Sequence, residues 1–133
     1  MPDTQGLNHL GLTVHDLTET TKFFVEILDW ELLATDDSYP RTTVSDGQLR
    51  LTLWQATIDG PRRGFNRHDN VGLHHLAIEV ESEAKLTELN ERIQGVPGVA
   101  VEFAPEPLGG GPRKHMMFAE PGGIRLELIW PGT

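Results

Sequence analysis

Leu7-Asn8-His9-Leu10-Gly11-Leu12-Thr13-Val14 and Leu73-His74-His75-Leu76-Ala77-Ile78-Glu79-Val80 are near copies displaced by 66 residues. Leu7 matches Leu73, His9 matches His75, Leu10 matches Leu76, Leu12 matches Ile78 and Val14 matches Val80. In each copy apolar residues take every second position and the histidine takes the other parity. A half-buried strand reads this way, and its histidine then points to the face that is not packed on the core. Two related strands presenting histidines to one face predict a duplicated module with a metal site on its pseudo-twofold axis.

The residues that follow repeat as well. Asp16-Leu17-Thr18-Glu19 is a capping-box signature. Phe23, Phe24, Ile27 and Leu28 recur at helical spacing, which predicts a helix over about 19–29. Trp30 to Thr35 and Arg41 to Ser45 read as strands, and Asp46-Gly47 as a hairpin turn leading to alternating Leu49, Leu51 and Leu53. Residues 56–72, rich in glycine, proline and asparagine, read as a linker. In the second copy a strand at 73–80 leads to Ser82 as N-cap. A helix carrying Leu86, Leu89 and Ile93 comes next and stops at Gly95. Strands are expected near 99–104, 113–119 and 124–130. Both halves are therefore βαβββ: module 1 spans about 6–55 and module 2 about 73–131, within a single domain covering 1–133.

Composition narrows the function. The 133 residues suit one domain with a real core. No cysteine is present, so disulfides and thiol nucleophiles are excluded, which is compatible with the cytoplasm. A formal net charge of −9 argues against nucleic-acid binding. No apolar run approaches a membrane span, and no secretion signal is evident. The expected partner is a small molecule.

Leu49-Arg50-Leu51-Thr52-Leu53 matches Ile124-Arg125-Leu126-Glu127-Leu128 at an offset of 75. Glu127 lies on the parity opposite to its leucines, the same side as the histidines, and Thr52 is its counterpart. Four equivalent positions, His9, Thr52, His75 and Glu127, thus share one face. Three of them carry good metal-binding groups.

On Leu7-Asn8-His9-Leu10, Leu73-His74-His75-Leu76-Ala77 and Glu120-Pro121-Gly122-Gly123-Ile124-Arg125-Leu126-Glu127, the chain resembles the vicinal oxygen chelate superfamily over nearly all of residues 6–131. That superfamily includes glyoxalase I, extradiol dioxygenases, methylmalonyl-CoA epimerase, fosfomycin-resistance thiol transferases and bleomycin-resistance binding proteins. The resemblance implies an α+β fold. Its paired βαβββ modules would form a curved, partly open eight-stranded sheet around a metal cup, with helices outside. It also implies that His9, His75 and Glu127 are the metal ligands. Thr52 departs from the fourth Glu or Gln of glyoxalase I and the epimerases, and a hydroxyl is too weak a base for their proton transfer. Phe103 and Met117 stand where fosfomycin-resistance enzymes supply a lysine and a tyrosine, which argues against fosfomycin as substrate.

Two imidazoles and a carboxylate leave open positions on an octahedral ion. Non-haem Fe(II) enzymes use such a set to bind substrate and oxygen together, and Mn, Co, Ni or Zn can occupy it as a Lewis acid. A lone strand histidine is usually a satisfied polar residue, but shared register and a third-strand carboxylate favour the metal reading here. His115, in phase with Arg113 and Met117, is a candidate catalytic acid–base residue, with a structural role as the alternative. Arg50, Thr52 and Trp54 alternate toward the site face. Arg50 is a candidate to pair with Glu127 or hold an anionic group, while its mate Arg125 reads equally as a rim residue. Trp54, Phe103 and Met117 are candidates for an apolar substrate wall or for ordinary packing. His74 reads as lying at the helix side or an edge, and His15 and His68 as solvated. Arg62, Arg63, Phe65 and Arg67 form a basic and aromatic patch in the linker: a solvated loop, a cover, or a subunit contact. The function that the resemblance leads one to expect is a metal-dependent enzyme, assembled as a homodimer, with dioxygenase-like chemistry on a small chelating substrate. A non-catalytic binder of the bleomycin-resistance kind is the alternative.

Overall fold

Each repeat folds as β-α-β-β-β in the computed structural model, which describes residues 1–133. The chain divides into two units, Met1–Gly60 and Pro61–Thr133, and each holds one four-stranded sheet. No helix is long and apolar enough to cross a membrane.

The first unit contains β1 (Leu10–Val14), α1 (Leu17–Lys22), β2 (Glu31–Asp36), β3 (Arg41–Ser45) and β4 (Arg50–Gln55), in the sheet order β1-β4-β3-β2. Asp16 caps α1 by accepting the Glu19 N–H at 3.0 Å. The helix does not stay α-helical to its end, because Phe23–Ile27 widens into a π-helical segment in which the Leu28 N–H donates to the Phe23 carbonyl. That widening seats Phe23 and Phe24, both fully buried, with the Phe24 ring 5.0 Å from Trp30. Asp29, in the left-handed region at φ 60°, then turns the chain into β2. Val14, Val44, Leu51 and Leu53 complete the core on the helix side, each side chain contributing about 1.5–3 kcal/mol of burial. Asp46-Gly47 makes the expected turn. Gly47 supplies φ +96°, and the Asp46 carboxylate accepts the N–H groups of Gln48 and Leu49.

The second unit repeats this plan with β5 (Leu76–Glu79), α2 (Glu83–Gln94), β6 (Ala100–Pro107), β7 (Lys114–Ala119) and β8 (Arg125–Trp130), ordered β5-β8-β7-β6. Ser82 caps α2 through the Lys85 N–H, and Leu86, Leu89 and Ile93 are its buried stripe. Met116, Phe118, Leu126 and Leu128 meet that stripe from the sheet side of the core. The β7–β8 turn closes on Glu120, a buried residue whose carboxylate accepts the Ile124 N–H at 3.1 Å.

Two expectations need correction. His9 and His75 do not lie within strands: each stands immediately before one, because parallel pairing begins at Leu10 and Leu76. The alternation of His74 with His75 therefore says nothing about where His74 points.

Candidate functional site

The register of the parallel pairs agrees with the internal repeat residue by residue. Gly11 lies opposite Thr52 in the first sheet, and Ala77 lies opposite Glu127 in the second. These pairs are related by the offsets of 66 and 75, so Thr52 and Glu127 are structural counterparts. On the antiparallel side Thr43 faces Thr52 and Met117 faces Glu127; one step further, Arg41 faces Trp54 and His115 faces Ile129. Directly opposed residues share a face of the sheet. His115, Met117 and Glu127 therefore share the face turned away from Leu126 and Leu128.

Glu127 is the hub of the second unit. Its Oε2 lies 2.7 Å from Nδ1 of His115, and both side chains are only 12 % exposed. The other carboxylate oxygen, Oε1, lies 3.9 Å from Nε2 of His75. The Phe103 ring packs on the His115 imidazole at 4.8 Å between centroids. Bulges in β6 on either side of Phe103 break the two-residue period. Through them Glu102 and Phe103, although consecutive, both reach side chains of this face.

A chain of hydrogen bonds decides which nitrogen of His75 carries its proton. Arg125 is held in a two-pronged grip by Glu102, Nε to Oε1 at 2.7 Å and Nη2 to Oε2 at 2.9 Å. Its Nη1 points at Nδ1 of His74 at 3.2 Å. Guanidinium only donates, so Nδ1 of His74 is the acceptor. Nδ1 of His75 lies 2.8 Å from that same atom and must donate to it. The lone pair of His75 is then on Nε2, the nitrogen turned toward Glu127. The surroundings of His74 favour its neutral form, lowering its pKa chiefly by desolvation and next by the Arg125 charge. His74, exposed beside the edge strand β5, thus contacts both His75 and Arg125, and Arg125 belongs to the site's surroundings. Residue type alone gave no sign of Glu102 or His74. The sequence signal for Arg125 was its shared parity with Glu127.

Bonding to Arg125 holds the Glu102 carboxyl below its ordinary range, and Arg67 in the linker adds a 3.5 Å contact. A depressed carboxylate stabilises the fold above its unfolded pKa and loses that contribution as pH falls through the lower, folded value. Glu102→Gln is expected to cost about 2 kcal/mol at neutral pH. The deficit should begin to shrink below about pH 4, near the unfolded carboxylate's pKa, and continue to fall as pH drops through the lower, folded value, where the parent carboxylate is protonated too. Urea unfolding of both proteins across pH 3–7 measures it, and an equal deficit at every pH would contradict the assignment.

In the first unit His9 is exposed, with Nδ1 held by Asn8 Oδ1 at 2.8 Å. That carbonyl accepts, so the His9 lone pair is also on Nε2. Thr52 is buried and its Oγ1 accepts the Trp54 Nε1–H at 3.0 Å, so both share one face as expected. A Cβ at Gly11 would come within 3.1 Å of Thr52 Oγ1, so glycine lets this pair close against β1. Arg50 is exposed at the start of β4, opposite Ser45. The arginine whose charge bears on Glu127 is Arg125. His15 and His68 are exposed, as expected.

In the chain as it stands, no three His, Cys, Asp or Glu side chains are assembled as a metal cage. The donor chemistry nevertheless fits a divalent cation. His75 Nε2 and Glu127 Oε1, 3.9 Å apart, are both acceptors, an imidazole nitrogen and a carboxylate oxygen of the kind a divalent cation takes.

Comparison with known proteins agrees with the fold. The family described as Glyoxalase/Bleomycin resistance protein/Dioxygenase superfamily matches residues 6–128. A 2-epi-5-epi-valiolone epimerase from Actinomyces sp is 31% identical over 151 aligned positions, covering 97% of this chain and 81% of that protein. The glyoxylase/bleomycin resistance protein/dioxygenase domain from Frankia sp. EAN1pec superposes with a TM-score of 0.81 at 29% identity, over 96% of this chain and 93% of that one. A variant of the fosfomycin resistance protein FosX from Listeria monocytogenes, complexed with Mn(II) and 1S,2S-dihydroxypropylphosphonic acid, has the same fold. Its TM-score is 0.70 at 24% identity, over 94% of this chain and 89% of that one. With two βαβββ modules in register and the family's pattern running from one end of them to the other, the chain belongs to the glyoxalase/bleomycin resistance protein/dioxygenase superfamily.

Proposed function

We propose that this chain is a metal-dependent enzyme that moves a proton beside a chelating oxygen group of a small substrate. In this reading His9, His75 and Glu127 are the ligands of one divalent ion (Fe, Mn, Ni, Co or Zn), and His115 is the acid–base residue. The observation that carries it is the His115–Glu127 pair. Because the carboxylate accepts from Nδ1, the His115 lone pair is left on Nε2, where it can take a proton. When bound, the metal supplies Lewis acidity, which makes a C–H next to a chelated carbonyl easier to ionise. Thr52 offers no base, and His115 provides the group that Thr52 cannot. Phe103 and Met117 flank His115 and Glu127 and would keep water from them; Trp54 and Thr52 would bear the substrate from the first unit. Arg50, exposed at the edge of its strand, would meet only a substrate reaching to the rim. The epimerase relative supports this class of reaction, since epimerisation is proton removal and return at one carbon.

Dioxygenase-like chemistry is the second reading, and the observation favouring it is Thr52 in the place of a fourth protein ligand. The test is a panel of α-hydroxy ketones and catechols offered to protein reconstituted with each metal. Deuterium entering the carbon beside the carbonyl in D2O is the expected result. Oxygen uptake with ring cleavage of a catechol, and no exchange, would replace this proposal with the second reading. Tight substrate binding with neither reaction would leave a sequestering protein. The homodimer carried by the resemblance is checked in the same preparation by sedimentation velocity.

A further inference from the structure

The geometry points to Arg41, lying over the Trp54 ring, as the anchor for an anionic oxygen group, carboxylate or phosphate, on the substrate. The proposal rests on the reading of the Thr52 face as the substrate-bearing one and names the class of substrate it would take.

Arg41 opens β3 and lies directly opposite Trp54, as His115 lies opposite Ile129 in the second sheet. It is therefore the counterpart of the proposed acid–base residue, on the face that carries Thr52. Its guanidinium carbon lies 5.2 Å from the centroid of the Trp54 ring, and the Tyr39 ring flanks Trp54 at 5.0 Å. A guanidinium lying over an aromatic face keeps its N–H groups in its own plane, free at the edge for a two-pronged contact with an anion.

Those donors are poorly used inside the chain. Nε of Arg41 is shielded from solvent and meets no acceptor. The carboxylate beside it, Asp36, stands 3.7 Å from Nη2, beyond hydrogen-bond reach. Oδ1 of Asp36 accepts the Ser38 N–H at 2.9 Å and the Ser38 hydroxyl at 2.7 Å, which holds the carboxylate where its Oδ2 makes only the long contact with Nη2. Arg125, by contrast, is gripped by Glu102 on two edges. A shielded donor without an acceptor is costly unless something binds it, and the Arg41 side chain is still 31 % exposed, enough for a ligand to reach the fork. On a chain of net charge −9, this arginine is a local cationic spot set on an aromatic platform.

The test uses the full chain, metal-free and labelled with 15N. The Arg41 Nε–H and Trp54 Nε1–H resonances are followed during separate titrations with inorganic phosphate and with malonate, ionic strength being held constant with chloride. Saturable shifts of both resonances are expected with at least one of the two, and which anion binds more tightly assigns phosphate or carboxylate. Arg41→Lys should weaken binding at least tenfold, because a point charge replaces the fork. Arg41→Gln should remove saturation altogether; if glutamine disturbs the sheet, lysine carries the same comparison. Arg92→Gln, on α2, should bind as the parent does. Shifts that grow linearly without saturation for both anions, or saturation unchanged by Arg41→Lys, would overturn the proposal. A calorimetric Zn titration of parent and Arg41→Gln separates this proposal from the ligand assignment. Loss of Zn binding in the parent would fault that assignment alone, and loss of saturable anion binding alone would fault this one.

Discussion

Glu127→Ala is expected to lower the affinity for Mn, Ni or Zn by more than about 100-fold, beyond the 10–100-fold typical of groups that merely support a ligand. Glu127 supplies the only carboxylate of the proposed set, and its two oxygens are divided between tasks: Oε1 faces His75 Nε2 and Oε2 holds His115. Alanine removes both. Glu127→Gln keeps a carbonyl oxygen and the side-chain volume while removing the charge, so it should fall between parent and alanine. Thr52→Glu works in the opposite direction. It places a carboxylate at the internal counterpart of Glu127 and should tighten Ni or Zn binding about tenfold or more, by adding a fourth protein ligand. Calorimetric titration of all four proteins, with circular dichroism to verify the fold, is the measurement. Glu127→Ala binding metal as the parent does would remove Glu127 from the ligand set, and with it the present reading of the site.

Much of this arrangement was legible in the sequence because strand patterns are enforced by burial. The Arg41 to Ser45 pattern coincides with β3, where Val44 is fully buried on the helix side of the sheet. The offsets of 66 and 75 were legible for the same reason, as a one-residue slip in either parallel pair would turn Leu51 or Leu126 to the wrong face.

What escaped the pattern has specific causes. Apolar alternation runs on through Leu7 and Leu73, but pairing starts only at Leu10 and Leu76, so the pattern extends over histidines that merely precede the strands. The spacing of Phe23, Phe24, Ile27 and Leu28 suits an α-helix as well as a wider turn. The choice was made by Trp30, whose N–H reaches the Phe24 carbonyl at 2.9 Å and whose ring meets that phenyl. The bulges of β6 are invisible to a two-residue period, so no pattern announces that Glu102 and Phe103 both serve one face. His74 precedes the edge strand β5, where no strand period fixes the direction of its side chain. Its role follows only from which atoms of Arg125 and His75 it meets.

His115→Gln is expected to cut turnover by about 10²–10⁴-fold, the usual contribution of a positioned acid–base group, while leaving metal affinity within roughly tenfold of the parent. The two readouts separate because His115 touches Glu127 through one nitrogen and leaves the other for chemistry. Nδ1 is committed to Oε2 at 2.7 Å, and contact with Phe103 limits rotation of the ring. A glutamine amide can still donate to Oε2, so Glu127 keeps its partner, but no basic nitrogen remains. His115→Phe also removes the donor; it should lose turnover equally and weaken metal binding further, because Oε2 then lacks its hydrogen bond. Deuterium exchange on the best substrate of the panel, run beside metal titration, reads both quantities. Equal losses of exchange and metal affinity in His115→Gln would make His115 a support for Glu127 only. Undiminished exchange with intact metal binding would place the proton-transfer group elsewhere on the face. A collapse of exchange with metal binding preserved is the outcome expected of the proposed acid–base role, because an imidazole with one nitrogen fixed on a carboxylate has only the other with which to take a proton.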